Sequence, residues 1–161
     1  MARRSAGGAL VALTVTALAL ALAAAAGATI VPQRAMAGID LGMTKAQVER
    51  AAGKPLRIEH AKNEFGSLTR LVYPGSVVVD FQGNANVTAV STTGKKERTA
   101  RGVGVGSTRA RVIRLVPGAR CETTDGFAHC FVGSFSPGKR VTDFTLSHGR
   151  VTRVTVGNVI D

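Results

Sequence analysis

The sequence is poor in aromatic residues and in cysteine. It has no tryptophan, one tyrosine, six phenylalanines and two cysteines in 161 residues. Several of the phenylalanines are needed in a core, so few aromatic side chains remain to stack on bases, and we expect no nucleic-acid partner. No cysteine directly follows the apolar N-terminal run, which excludes lipid attachment at that place.

Acidic residues are also scarce. Ten Asp and Glu stand against 21 Lys and Arg, which gives a formal net charge of +11. Such a surface attracts polyanions, and outside the cytoplasm these are acidic wall polymers, lipid head groups or acidic proteins. Four basic residues fall around the last predicted hairpin. Since arginine offers paired donors to a carboxylate or a phosphate, we predict that they form the partner face if the open sheet binds an acidic partner; the alternative is a solvated rim. These residues are Lys139, Arg140, Arg150 and Arg153.

The N-terminal segment has the layout of a secretory signal. Two arginines precede an apolar run over residues 8–31, Pro32 ends the run, and Ala35 and Ala37 place small side chains where a signal peptidase reads. We therefore predict a signal peptide over residues 1–37, cleaved between Ala37 and Gly38, and a secreted or cell-envelope protein. The alternative is an uncleaved helix that holds the protein at the membrane, because about 20 apolar residues can cross a bilayer.

A repeat organises the rest of the chain. Residues 38–48 return at an offset of 64 residues as residues 102–112, with Thr44 and Thr108 at equivalent positions. Threonine is a good helix N-cap, and Gln47 completes a capping box in the first copy. The pattern therefore predicts a short helix after each threonine, held in place by packing. The predicted helices cover residues 45–52 and 109–116.

Three predicted strands follow each helix. Apolar and β-branched runs alternate with Pro-Gly and other glycine turns, which is typical of an antiparallel meander. The predicted strands cover residues 69–73, 77–81, 87–91, 127–132, 141–146 and 151–156. The predicted fold class is α+β, with two tandem repeats in which a short capped helix packs on a three-stranded antiparallel meander. The repeats occupy residues 38–94 and 102–161, and a basic linker covers residues 95–101.

The alternation along these strands predicts which sheet face is buried. Side chains two residues apart share a face of a strand, and one face of each predicted meander is apolar. The predicted core residues are Val79, Phe81, Val90, Phe144, Leu146, Val154 and Val156. The opposite face carries Arg153 and Thr155 beside the smaller Ala89 and Ser91.

Three motifs of the first repeat resemble a known family. They are Gly42-Met43-Thr44, Gly53-Lys54-Pro55 and Phe81-Gln82-Gly83, and they are similar to motifs of the SmpA/OmlA family of small envelope-assembly lipoproteins. The tandem copy, together with Cys121 and Cys130, resembles the two-unit fold of the β-lactamase-inhibitory proteins. The resemblance implies a curved sheet that acts as a rigid protein-binding surface without catalysis.

The two cysteines lie nine residues apart in a segment that is predicted to be exported. An oxidising compartment favours a disulfide, so we predict a bridge between Cys121 and Cys130. The alternative is a metal site that adds His129 and His148. Neighbouring residues 129 and 130 point to opposite faces of a strand, which disfavours that alternative.

Other motifs supply only part of a chemical site. The glycine-rich residues 102–108 resemble a phosphate-binding loop, but the lysine of such a loop is missing. His148 and Asp143 lie among serines without the Gly-x-Ser-x-Gly elbow of a hydrolase. Two carboxylate pairs are candidates for acid–base work, and we interpret both as structural. These pairs are Glu59 with Glu64 and Asp80 with Asp143.

The sequence therefore predicts a secreted, non-enzymatic, monomeric binding module. Its sheet would face an extracytoplasmic protein or an anionic wall or membrane component. One alternative is a membrane-tethered structural or assembly factor of the envelope, and another is a proteinaceous inhibitor of a secreted hydrolase. We predict no catalytic residue, no metal and no cofactor.

Overall fold

A large antiparallel sheet dominates the fold. The computed structural model describes residues 29–83 and 86–160. A small sheet comes first in the chain and contains β1 (Ile30–Val31), β2 (Ala35–Met36) and β3 (Ile39–Asp40). The large sheet contains β4 (Arg57–Asn63), β5 (Gly66–Tyr73), β6 (Val77–Gln82), β7 (Ala89–Thr92), β8 (Arg120–Thr124), β9 (Phe127–Gly133), β10 (Arg140–Ser147) and β11 (Arg150–Asn158).

The α-helices of the described residues begin where the sequence predicts. They are α1 (Lys45–Ala52) and α2 (Arg109–Leu115), and a 3-10 turn (Pro74–Ser76) joins β5 to β6. The Thr44 hydroxyl accepts the backbone N–H of Gln47, whose side chain accepts the N–H of Thr44. The Thr108 hydroxyl accepts the N–H of Arg111. Both predicted helix caps are therefore confirmed.

The order of strands in the large sheet is β4-β5-β6-β7-β11-β10-β9-β8. A helix and then four strands occur twice along the chain, since α1 precedes β4 to β7 and α2 precedes β8 to β11. The last strands of the two halves, β7 and β11, pair with each other, and Val90 lies opposite Val156. Each cap also forms an equivalent bridge, Thr44 with Asn86 and Thr108 with Arg150. The two halves thus share one continuous sheet.

The predicted fold class is wrong. Of the described residues, 48% are strand and 14% are helix, and the large sheet is one eight-stranded sheet rather than two helix-capped three-stranded units. In the large sheet, the strands that the sequence failed to predict are β4 and β8, which lie at the two edges and are exposed along most of their length. Because both faces of these strands are largely exposed, their side chains do not need the apolar alternation that identifies central strands. Charged residues along an edge also prevent pairing with other chains.

The core lies on the helix side of the large sheet. All seven predicted core residues are buried, which confirms the predicted core face. Val48 of α1 and Val112 of α2 are fully buried in the same cluster. The short helices are therefore held by the sheet on which they pack.

The small sheet completes this core from the N-terminal side. Ile30 and Met36 are 1% and 0% exposed. The backbone N–H of Ile30 donates to the Arg98 carbonyl at 2.9 Å, and that of Ala37 donates to the Thr29 carbonyl at 2.8 Å. The predicted cut between Ala37 and Gly38 conflicts with this packing because it would remove β1 and β2 from the fold.

Residues 95–101, predicted to be a linker, are packed into the structure. Glu97 and Thr99 are buried, and the Arg98 carbonyl holds β1 as described above. The Thr99 N–H also donates to the Val103 carbonyl at 2.8 Å. Among the described residues, no helix has the length and apolarity that crossing a bilayer requires. The predicted signal helix lies almost entirely outside the described residues.

We expect the exported protein to begin before Ile30. Ala26-Gly27-Ala28 offers a second Ala-x-Ala sequence, and a cut after it would leave Thr29 first. A chain that starts at Gly38 should have a free energy of unfolding about 3–6 kcal/mol lower than one that starts at Thr29, because burial of Ile30 and Met36 contributes about 1.5–3 kcal/mol each. Denaturant unfolding of both chains and N-terminal sequencing of the exported protein check this. An exported chain that begins at Gly38 and is equally stable would contradict it.

Candidate binding face

The large sheet has one face that the helices cover and one that they leave open. Directly paired residues lie on the same face, and Val79, Val90 and Val156 form a row that faces the helices. Their neighbours along the strands point the other way, and we call that side the open face. Its central row is Arg57, Val72, Val78, Ser91, Thr155, Asp143, Phe131 and Arg120. At about 4.8 Å per strand, the open face is roughly 34 Å wide.

An ionic cluster crosses the first half of the open face. Arg70 on β5 lies opposite Asp80 on β6 and Glu59 on β4. Its Nε–H donates to Asp80 Oδ1 at 2.8 Å, and its Nη1 lies 4.0 Å from Glu59 Oε2. The hydrogen bond to Asp80 raises the pKa of Arg70, and the charges of both carboxylates add to this against the effect of burial. The guanidinium therefore stays charged and links three strands.

A second cluster occupies the corresponding place in the other half. His129 on β9 lies between Glu122 on β8 and Asp143 on β10. Its Nδ1 is 2.6 Å from Asp143 Oδ1, and its Nε2 is 3.2 Å from Glu122 Oε1. The Thr145 hydroxyl donates to the second Asp143 oxygen at 3.0 Å. In each half of the sheet, a side chain between two carboxylates thus links the three outer strands. This side chain is Arg70 in the first half and His129 in the second.

Among the described residues, aromatic rings surround His129, whereas none packs on the Arg70 guanidinium. Phe127, Phe131 and Phe135 have ring centroids 5.1, 5.3 and 5.5 Å from the imidazole. His129 is only 7% exposed beneath them. We call these three phenylalanines and His129 the aromatic cluster.

The outer rings of the aromatic cluster are open to solvent. Phe127 and Phe135 are 51% and 45% exposed, whereas Phe131 is buried at 6%. The Arg120 guanidinium lies 5.0 Å from the Phe131 ring centroid, a cation–π distance. The cluster therefore presents an apolar surface that a fixed polar network supports from below.

The disulfide lies directly behind the aromatic cluster. Cys121 and Cys130 are paired across β8 and β9 and form the predicted bridge, which is confirmed. Cys130 is fully buried on the core side, because it alternates with His129 along β9. The bridge joins the two strands of one hairpin. It fixes the spacing of the strands that carry the cluster.

The side chains of the open face are smallest at one point where the halves join. Ala89 on β7 lies opposite Gly157 on β11 at this point. A Cβ added at Gly157 would lie 3.2 Å from the Ala89 Cβ and 3.4 Å from the Thr88 carbonyl. A side chain at position 157 would therefore have little room, because the two strands lie close together there.

The four basic residues of the predicted partner face do not come together. Arg140 pairs with Asn158 at one end of the β10–β11 hairpin, and Arg150 pairs with Ser147 at the other. These ends are roughly 24 Å apart at about 3.4 Å per residue. Lys139 lies next to Arg140, and Arg153 is exposed on the open face beside Thr145. Arg153 therefore lies on the open face while the other three lie at the ends of the hairpin, because sequence neighbours in a long hairpin separate along its axis.

The candidate chemical groups are placed apart or already paired. The disulfide removes both thiols from any metal site, and the described residues contain no group of three His, Cys, Asp or Glu arranged to hold a metal ion. Asp143 contacts His129, while His148 contacts only its neighbour Ser147 at 3.0 Å. Asp80 and Asp143 lie on β6 and β10, three strand spacings or roughly 14 Å apart.

The aromatic cluster is the feature that sequence reasoning missed. The signal was present, since Phe127, His129 and Phe131 alternate along one strand and must share a face. Residues of this kind were instead assigned to the core because apolar residues are usually buried. The contact with Asp143 depends on strand pairing over 14 residues, which no local pattern shows.

No family model matches the chain, and no curated protein matches it. Solved structures with a similar arrangement include an extracellular protein containing a SCP domain from Bacillus anthracis str. Ames, with a TM-score of 0.49 and 13% identity. A cysteine-rich secretory protein from Staphylococcus aureus subsp. aureus Mu50 gives 0.46 and 12%. Each match covers 73% of this chain but 44% of the other, so the chain spans less than half of their length.

A DUF4309 family protein from Bacillus subtilis subsp. subtilis str. 168 gives a TM-score of 0.47 and 17% identity, with 83% of this chain and 90% of that chain covered. None of these structures is an SmpA/OmlA or β-lactamase-inhibitory protein, so that resemblance stays a prediction. All three TM-scores are below 0.5.

Loss of the disulfide should weaken the β8–β9 hairpin. Replacement of Cys121 and Cys130 together by serine should lower the free energy of unfolding by about 2–3 kcal/mol, the chain-entropy value for a loop of this size. Urea unfolding of the variant and of the native protein, each with and without reductant, measures the change. The prediction fails if reductant leaves the native protein as stable as before while free thiols become titratable.

His129 should matter more for stability than an exposed histidine on the same sheet. His129→Ala leaves Asp143 without its closest partner, and an unsatisfied buried group costs about 1–3 kcal/mol. The matched control is His60→Ala on β4, where the side chain is exposed and contacts Thr69. Surface substitutions of that kind usually stay within about 0.5 kcal/mol. Equal unfolding free energies for the two variants would contradict the assigned role.

Proposed function

We propose that the protein is a secreted, non-enzymatic binding module that holds a protein partner on its open face, with the aromatic cluster as the anchor. The observation that carries this proposal is the exposure of Phe127 and Phe135, at 51% and 45%. Exposure of large apolar side chains to water is unfavourable, so their burial against a partner releases free energy. Aromatic residues and arginine are also enriched where proteins bind each other.

The support beneath the cluster favours binding with little loss of conformational freedom. Strand pairing, the disulfide and the contacts of His129 already fix the rings from below. A partner therefore does not need to order this surface when it docks, which removes a cost that flexible surfaces have. The same contacts occupy both nitrogens of His129 with carboxylates, which leaves neither nitrogen facing a hydroxyl or thiol that it could activate.

Charge around the cluster indicates the kind of partner. Arg120 stacks on Phe131, and Arg153 is exposed on the same face. The chain has a net charge of +11. A partner that inserts an apolar side chain between the phenylalanines and places carboxylates around it would satisfy both features.

An extracytoplasmic location is part of this proposal. The apolar N-terminal run followed by small residues supports export, and the Cys121–Cys130 disulfide suits an oxidising compartment. Retention by an uncleaved N-terminal helix and inhibition of a secreted hydrolase remain predictions from the sequence.

The test is a comparison of matched apolar truncations. Phe127→Ala combined with Phe135→Ala should weaken capture of the partner by tenfold or more, as loss of about 2 kcal/mol at a hot spot implies. The control combines Leu56→Ala with Ile113→Ala, which remove side chains that are 71% and 52% exposed away from the cluster. A photoreactive phenylalanine analogue at position 127 or 113 identifies what lies against each surface in the extracytoplasmic fraction.

The experiment is run at low and at high salt, so that adhesion by net charge is removed. A protein that crosslinks at position 127, survives high salt and is lost only from the phenylalanine variant supports the proposal. Equal capture by both double variants refutes it. Crosslinking of the chain to itself at position 127 would show that the face binds a second copy rather than another protein.

A further inference from the structure

A strongly basic pocket lies on a different part of the molecule from the aromatic cluster. Its volume is about 390 Å³, and its lining includes four cationic side chains but no acidic residue. The four are Lys95, Arg98, Arg111 and Arg150. Within residues 29–83 and 86–160, none of them takes part in an ion pair. Three separate segments thus bring four uncompensated positive charges together.

Backbone carbonyls position two of these guanidinium groups. Arg98 Nε–H donates to the Lys95 carbonyl at 2.9 Å, and Arg150 Nη1 donates to the Gly106 carbonyl at 3.1 Å. Each bond uses one part of the planar group and leaves further N–H donors for a ligand. The groups are therefore held in place without being neutralised.

The glycines of residues 102–106 let the other parts of the pocket approach. A Cβ at Gly104 would collide with the Glu97 carbonyl and would lie 3.3 Å from Arg98 Nη1. A Cβ at Gly102 would lie 3.8 Å from Arg111 Nη2. Gly104 is thus required by the approach of the Glu97 carbonyl, and Gly102 by its positive φ of 74°, so these glycines set the path of the backbone beside Arg98 and Arg111.

The equivalent residues of the first half can be compared with this pocket. At the offset of 64 residues, Arg98 and Gly104 correspond to Arg34 and Asp40. Arg34 Nε lies 3.0 Å from Asp40 Oδ1, so that arginine is paired with a carboxylate. Where the first half has this acidic partner, the second half has glycine.

The two remaining arginines of the pocket, Arg111 and Arg150, also stand where the first half has uncharged residues. Arg111 corresponds to Gln47, and Arg150 corresponds to Asn86, which forms the equivalent bridge to a capping threonine. One acidic group has therefore been removed and two positive charges added at equivalent positions. Packing does not require this, because the first half forms the same cap and bridge with neutral residues.

We propose that this pocket binds a phosphate group. Arginine donors match the oxygens of phosphate in pairs, and a doubly charged oxyanion compensates four cations better than a single carboxylate does. The charge comes from side chains on separate segments and does not depend on the start of α2. The site is independent of the partner proposed for the open face.

Inorganic phosphate is the first probe, titrated into the full protein at constant ionic strength and followed by calorimetry and by the melting temperature. We expect saturable binding at one site and a higher melting temperature. Arg111→Gln and Arg150→Asn install the residues of the first half, and each should weaken binding by about tenfold or more, since each removes a charged hydrogen-bond donor. Circular dichroism verifies that the variants fold.

The controls remove the same charge elsewhere. Arg114→Gln lies on the same helix as Arg111, and Arg50→Gln changes the equivalent position in the last turn of α1. Both should bind phosphate as the native protein does. Absence of saturable binding, or equal weakening by the control variants, would overturn the proposal and leave only diffuse charge adhesion.

A second arm separates the possible sources of the phosphate. Sedimentation with vesicles of phosphatidylglycerol or of phosphatidylcholine tests for a lipid head group. Binding to phosphatidylglycerol that free phosphate displaces and that Arg111→Gln abolishes assigns the pocket to a membrane lipid. Phosphate binding without vesicle binding assigns it to a soluble or polymer-borne phosphate.

Discussion

Pairing between β7 and β11 is the interaction on which the rest of the structure depends. These strands end the two halves of the chain, and their hydrogen bonds convert two four-stranded sheets into one. Val90 lies between Val79 and Val156 and is fully buried. Sheets of this size are marginal alone because they bury too little apolar surface. The same pairing gives both helices one core and places both ionic clusters on one face.

Local signals in the sequence were sufficient for the caps, the helices and the core face. Thr44 and Thr108 act on residues within one turn, and the core residues alternate within single strands, so no long-range information is needed. The edge strands β4 and β8 lack that alternation because solvent reaches both of their faces. Residues 30–36 were missed for a different reason: their apolar side chains continue a run that also fits an export signal.

The candidate site was less accessible to prediction, because it depends on register between distant strands. Nothing near His129 in the sequence identifies Asp143 as its partner, and the bond forms only because β9 and β10 align over their full length. Phe135 joins the cluster by folding back after β9 ends. The predicted partner face was wrong to group residues by their proximity in sequence. Arg140 and Arg150 belong to one hairpin but lie at opposite ends of it.

The seam where Ala89 on β7 meets Gly157 on β11 leaves little room for larger side chains. A Cβ at Gly157 would lie 3.2 Å from the Ala89 Cβ, so a larger residue there would have to displace the neighbouring strand. Small residues at this one seam therefore keep the two halves close enough to share a single sheet.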